Sequence, residues 1–277
     1  MKLKHQIKLI CTDLDSTLIP ADGNKVSAKN HVALQAAKAL GIKLAIVTAR
    51  NFSRCIHIAR EIKADYLIST SGSAIYDLKK AQFIFQKYIQ ETTLTQVLEV
   101  VGSYPEVFGC FYSSQPDPSQ IAVYTMNGTS KDWSQETVPA EMPLINLDKN
   151  QPLPHFACLH ILLEGQLPHL LQIQKQLQKV SGLEVICCNY NRFMEINPIQ
   201  VNKASSIQWL SEQIGIDPHN EVMAFGDGPN DISLIKMTQY GIAVANATSA
   251  LKAEAFYVTG RQEDDGVAQA ISHWLLP

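Results

Sequence analysis

The chain is 277 residues long, 46% hydrophobic and 18% charged, with a formal charge of −3 at pH 7. That length is generous for one domain of about 100–200 residues and comfortable for two, and the slight acidity argues against non-specific nucleic-acid binding, which needs a basic face. Apolar runs such as Leu44 to Val47 and Ile161 to Leu163 are far too short to span a bilayer, and Asp13 and Asp15 interrupt any signal-peptide core, so the expectation is a cytoplasmic protein without a membrane partner.

Lys8 to Thr12 is a short apolar run that ends in Asp13-Leu14-Asp15, which reads as a buried parallel strand delivering two carboxylates. Asp22-Gly23-Asn24 predicts a turn. Ser27 then precedes an alanine-rich helix over 28–40, closed by Gly41. Lys43 to Val47 is a second strand, ending on Thr48-Ala49-Arg50. A helix over 53–62 and a third strand over 66–69 follow. Strand and helix alternate through the first 80 residues, which predicts a parallel sheet with right-handed crossovers.

The rhythm then changes. A helix over 92–101 is followed by strands over 107–113 and 121–125, and then by a loop rich in proline (Pro139, Pro143, Pro152, Pro154). A strand over 157–163, an amphipathic helix over 167–180 and a strand over 183–188 complete an α+β unit. From about Met194 the alternation returns: helix 203–214, strand 222–225, helix 232–237, strand 242–244, helix 249–255, strand 256–258 and helix 266–274. The predicted fold class is α/β, a doubly wound parallel-sheet core over 1–83 and 193–277 with an inserted α+β domain over 84–192. The six cysteines form no pair at the two-residue spacing of zinc or thioredoxin-like sites and read as structural thiols.

Four polar clusters follow a short strand or open a helix: Asp13/Asp15, Thr48, Lys203 and Asp227/Asn230/Asp231. Strand ends of a parallel sheet share one edge, so these clusters can converge. Each has a plainer reading. Thr48 can cap the next helix, 227–231 can be a solvated turn, and Lys203 can be a surface lysine. Yet a cation at a helix start is disfavoured by about 0.3–1 kcal/mol and calls for an anion nearby. Close carboxylates repel, and a hard dication such as magnesium resolves that conflict. Lysine, threonine and asparagine add donors for an anion, and a phosphoryl group fits the set best. One carboxylate can attack phosphorus while the other moves protons.

Asp13-Leu14-Asp15-Ser16-Thr17-Leu18, Thr48-Ala49-Arg50, Lys203 and Gly226-Asp227-Gly228-Pro229-Asn230-Asp231 resemble the four motifs of the haloacid dehalogenase superfamily, in the pattern of its Cof-type phosphatases. The resemblance extends over Gly241 to Ala247 and Val258 to Ala268, nearly all of the core. The inserted domain is similar to the family's larger α+β cap in position and element order, not in motifs.

The resemblance implies a HAD-like, Rossmannoid core and a set of roles. Asp13 is the expected nucleophile and Asp15 the general acid/base. Thr48, Lys203 and Asn230 are expected on the phosphoryl group. Asp13, Asp15 through its backbone carbonyl, and Asp227 are expected on Mg2+, with Asp231, Ala49 and Gly228 in support. The implied activity is Mg-dependent hydrolysis of a small phosphorylated metabolite, such as a sugar phosphate, through an aspartyl-phosphate. A phosphotransferase or phosphomutase on the same core, and a non-catalytic metal- or phosphate-binding protein, are the alternatives. Three departures stand out. Ser16 and Gln200 (with Ala204) occupy usual glycine positions, and Ser71-Gly72-Ser73 replaces a common Asn-Gly-Ala. In the cap, Tyr112, Tyr124, His160 and Arg192 are candidates for substrate contacts, with a structural role the favoured reading for each.

Overall fold

The computed structural model describes residues 3, 6–21, 23–113, 122–128, 144–147, 155–189 and 192–276. In chain order the elements are β1 (Leu9–Thr12), α1 (Ala28–Ala39), β2 (Lys43–Val47), α2 (Phe52–Glu61), β3 (Tyr66–Ser69), β4 (Ala74–Asp77), β5 (Gln82–Gln86), α3 (Glu91–Gly102), β6 (Phe108–Ser113), β7 (Ala122–Met126), β8 (Leu144–Asn146), β9 (Cys158–Glu164), α4 (Leu167–Leu177), β10 (Leu183–Asn189), β11 (Phe193–Pro198), α5 (Lys203–Ile214), β12 (Val222–Gly226), α6 (Ile232–Met237), β13 (Tyr240–Ala243), α7 (Ser249–Glu254), β14 (Tyr257–Val258) and α8 (Gly266–Trp274). They fall into two units, Met1–Ala81 with Asn202–Pro277, and Gln82–Val201.

The first unit is the expected α/β core. Its sheet runs β14-β13-β12-β1-β2-β3-β4, parallel throughout except where β4 turns back against β3. β1 and β12 are buried along their whole length, as strands covered on both faces must be. The helices start where the sequence supplies caps. The Ser27 side chain accepts from the Asn30 N–H at 3.1 Å, and Asn51 accepts from the Arg54 N–H at 3.1 Å. Asn202 and Ser205 form a reciprocal capping box at the start of α5, which satisfies two otherwise orphaned groups. α1 packs against α8, and α5 against α6.

The second unit carries the sheet β10-β11-β9-β6-β7-β8. Its pairs are antiparallel except β7 with β8. Leu94, Val97, Leu98 and Val101 of α3 and Leu170, Ile173 and Leu177 of α4 share one apolar core with Phe111, Ile161, Leu163, Met194 and Ile196 of the strands.

Three expectations need correction. The 193–201 segment belongs to the second unit, because β11 lies between β10 and β9 and its apolar residues Met194 and Ile196 complete that core. β4 is an additional strand, only four residues long, that follows a tight polar turn. β8 falls inside the stretch expected to be proline-rich loop, while Pro139, Pro143, Pro152 and Pro154 lie outside the described residues. Cys11, Cys55, Cys110 and Cys158 are free and buried, and burial raises their thiol pKa values, which makes them inert. No helix among the described residues is long and apolar enough to cross a membrane.

Candidate active site

From β1 the chain winds one way through β2 and β3. After the insertion it winds the other way from β12 through β13 and β14. The topological switch therefore lies between β1 and β12, where open α/β sheets bind ligands at the carboxyl ends of the strands. Thr12 pairs in register with Phe225, and the Asp13 N–H donates to the Phe225 carbonyl at 3.1 Å. Asp13 and Asp227 thus leave adjacent strands side by side.

Lys203, the first residue of α5, reaches into this edge. Its ammonium donates to Asp13 Oδ1 at 2.7 Å and to Asp231 Oδ1 at 2.6 Å, and all three side chains are buried. The anion that a cation at a helix start demands is therefore present twice over. Asp231 also engages its second oxygen, which accepts the N–H groups of Asp227 and Gly228, both at 3.0 Å. A Cβ at Gly226 would lie 2.5–2.8 Å from the Asp231 side chain, so glycine there is what lets this carboxylate approach. Thr17 donates to Asp227 Oδ1 at 3.1 Å.

Three carboxylates against one ammonium leave two formal charges unbalanced. Burial raises the Asp13 pKa well above its ordinary value; Lys203 opposes this, and Asp231, Asp227 and Asp15 add to it. Burial and then Asp231 push Asp227 up to about 7, against Lys203 and the Thr17 hydrogen bond. Burial pulls Lys203 down, but Asp13 and Asp231 more than reverse it and hold the ammonium charged. One oxygen from each of Asp13, Asp227 and Asp231 lies within 4.8 Å of the others. Hard carboxylate oxygens with an excess of two negative charges suit a divalent cation of the magnesium or calcium type.

Asp15 is near this cluster but its carboxylate is engaged elsewhere. Arg50 Nε donates to Asp15 Oδ2 at 2.8 Å, and Nη2 to Oδ1 at 2.5 Å. Thr48 is buried at the end of β2, and its hydroxyl accepts the Arg50 N–H at 3.2 Å. Ala49, partly buried, lies between them. Asn230 is partly buried in the 3-10 turn Pro229–Asp231. The structure thus brings Asp13, Lys203, Asp227, Gly228 and Asp231 into direct contact or immediate proximity, and sets Asp15 and Thr48 beside Arg50. Arg50 and Thr17 stand inside the sequence motifs without a role implied by the resemblance; their burial is a tertiary fact that composition cannot supply.

The cap candidates have partners within the second unit. Tyr112 stacks on buried His160 at 5.7 Å, Tyr124 stacks on Phe156 at 3.8 Å, and Arg192 pairs with Glu164. His160 Nδ1 lies 2.6 Å from Asn197 Oδ1.

A family model described as haloacid dehalogenase-like hydrolase matches residues 10–271. The chain belongs to this family. Within the haloacid dehalogenase-like hydrolases it falls with the Cof-type phosphatases, enzymes that hydrolyse phosphate monoesters. It is 28% identical to the 5-amino-6-(5-phospho-D-ribitylamino)uracil phosphatase YcsE of Bacillus subtilis, over 98% of this chain and 96% of that one. It is 26% identical to an HMP-PP phosphatase of Serratia proteamaculans, over 97% and 95% of the two chains. A haloacid dehalogenase-like hydrolase from Bacteroides thetaiotaomicron superposes with a TM-score of 0.79 at 25% identity, covering 97% of this chain and 99% of that one.

Proposed function

We propose that this hydrolase is a magnesium-dependent phosphatase of a small phosphorylated metabolite, working through an aspartyl-phosphate. The observation that carries the reading is the buried Asp13–Lys203–Asp231 triad beside Asp227 at the topological switch point. The relative named for a phospho-ribitylamino substrate directs attention to esters of sugar-like alcohols. Asp13 attacks phosphorus, its Oδ–P bond forming as the ester P–O bond breaks. Asp15 gives a proton to the departing oxygen and later takes one from the water that hydrolyses the phosphoenzyme, a contribution of typically ~10²–10⁴-fold. Lys203 orients Asp13 and offsets phosphoryl charge, and Thr48 and Asn230 donate to phosphoryl oxygens. Asp13 and Asp227, with the Asp15 backbone carbonyl, would hold Mg2+. When bound, the ion supplies charge neutralisation and polarisation of a phosphoryl oxygen. Inorganic phosphate release from a panel of sugar, alditol and nucleoside monophosphates, with and without Mg2+, tests this. Release that is lost on chelation and in Asp13→Asn is expected; undiminished release in either case overturns it.

A further inference from the structure

Arg50 takes part in an arrangement that the roles above leave unexplained. Its side chain is 3% exposed, yet that of its partner Asp15 is 37% exposed. The guanidinium directs its donors to one short segment: both Asp15 oxygens, Asn24 Oδ1 at 3.0 Å and the Gly23 carbonyl at 2.7 Å. Its backbone is held as well, since the Arg50 N–H donates to Thr48 Oγ1 and the Arg50 carbonyl accepts from the Thr70 N–H at 2.8 Å. Here the rigid half is buried and the carboxylate is presented. The fork also fixes Asp15 through both oxygens, which a point charge cannot do.

We propose that Arg50 is a positioning residue for the chemistry: it holds the Asp15 carboxyl in the orientation from which it passes its proton to the leaving oxygen, and it does so through the planar guanidinium fork tied to Gly23 and Asn24. The inference rests on the reading of Asp15 as acid and base. The proton balance is unchanged by it. Asp15 loses its proton to the oxygen whose bond to phosphorus breaks; both of its oxygens are then acceptors for the fork, the arrangement seen here, and Arg50 keeps all of its own protons.

The test is a double-mutant cycle of Arg50→Gln and Asp15→Asn, with Arg50→Lys as a second variant that keeps the charge. The substrates are an alkyl phosphate, whose leaving group needs a proton, and p-nitrophenyl phosphate, whose leaving group needs little help. Arg50→Gln and Arg50→Lys should each lower kcat on the alkyl phosphate by at least ~10-fold, because a misplacement of about 1 Å costs up to ~10²-fold. Both should lose several-fold less on p-nitrophenyl phosphate. In the Asp15→Asn background, Arg50→Gln should cost less than about threefold more, since a residue acting through another adds little once that one is gone. Independent losses in the cycle, equal losses on both esters, or full alkyl-phosphate turnover in Arg50→Lys would each overturn the proposal while leaving the phosphatase reading intact. If Asp13→Asn retains turnover, the reading of the site fails and this inference falls with it.

Discussion

Replacing Lys203 by methionine removes one charge from the centre of the site while nearly conserving volume. Lys203 is bonded at 2.7 Å to Asp13 and at 2.6 Å to Asp231. Without it, both buried carboxylates lose their counter-charge. Breaking a buried pair by removing one partner costs about 3–5 kcal/mol. Two features moderate that figure. Asp231 keeps its bonds from the Asp227 and Gly228 N–H groups, and Asp13, already pushed up by burial, escapes part of the penalty by binding a proton. For a unit of this size each kcal/mol moves the melting point by roughly 2–4 °C, so metal-free Lys203→Met should melt on the order of 6–15 °C below the parent near pH 7.5. Added Mg2+ should recover part of the loss, because the dication takes over the balancing charge. Phosphate release should be abolished. The assay is thermal unfolding with EDTA or with millimolar Mg2+, read beside turnover. A metal-free melting point within about 2 °C of the parent, less than the effect of a single kcal/mol, would show that Lys203 does not compensate the carboxylates and would refute the electrostatic reasoning.

Thr17→Val should weaken Mg2+ binding by ~10-fold, as loss of a group that orients a metal ligand does, because the Thr17 hydroxyl donates to Asp227 Oδ1; a calorimetric Mg2+ titration measures it, and unchanged affinity counts against the role. The raised carboxyl pKa of Asp227, about 7 against an ordinary 3.8, means the folded state binds more protons than the unfolded one between those values. Metal-free stability should therefore fall as pH rises through that window and level off above it, while the stabilisation given by a fixed Mg2+ concentration grows; melts at about pH 5 and pH 8, on either side of the folded value, read both signs. His160 acts oppositely in the second unit. Burial lowers its pKa below the ordinary 6.5, so that unit should lose stability as pH falls below about 6.5, and His160→Gln should flatten the acid limb of its unfolding.

How much of the site is legible in the sequence follows from where each signal resides. Asp13, Thr48, Lys203 and Asp227 are readable because each sits just past an apolar strand or at a capped helix start, and parallel topology brings those ends together. Asp231 reads in sequence as a supporting residue, yet it shares Lys203 and ties down the Asp227–Gly228 backbone; its burial is a tertiary fact. Arg50 looks like any residue following a strand, since nothing in its neighbours announces that Asp15, 35 positions earlier, fills its fork. In sequence no strand is read over 193–198, so β11 falls on the core side of the expected boundary, although Met194 and Ile196 pack into the apolar core of the second unit. β8 is hidden by the prolines that flank it in sequence.

Three of the departures from the family pattern share a physical basis. Ser16, Ser71 and Gln200 all adopt left-handed backbone, with φ of 58°, 53° and 61°. That region costs an ordinary L-residue roughly 1–2 kcal/mol and is free for glycine and tolerated by asparagine. The usual glycines at positions 16 and 200 and the asparagine at 71 therefore answer a conformational demand that this chain meets with less suitable residues. The backbone is held regardless: the Ser16 carbonyl accepts from Asn246 Nδ2 at 2.7 Å, and Ser71 N–H donates to the Thr48 carbonyl at 3.0 Å. At the next residue φ is +109°, and a Cβ there would lie 2.5 Å from the Asn202 carbonyl oxygen. Only glycine fits, and Gly72 is retained. At these three positions the departure therefore costs backbone strain. Ser16→Gly should relieve about 1–2 kcal/mol of strain against about 0.4–1 kcal/mol of added unfolded-state entropy, leaving the melting point equal or slightly raised and turnover unchanged. A lowered melting point would mean that the Ser16 side chain contributes a contact worth more than its strain.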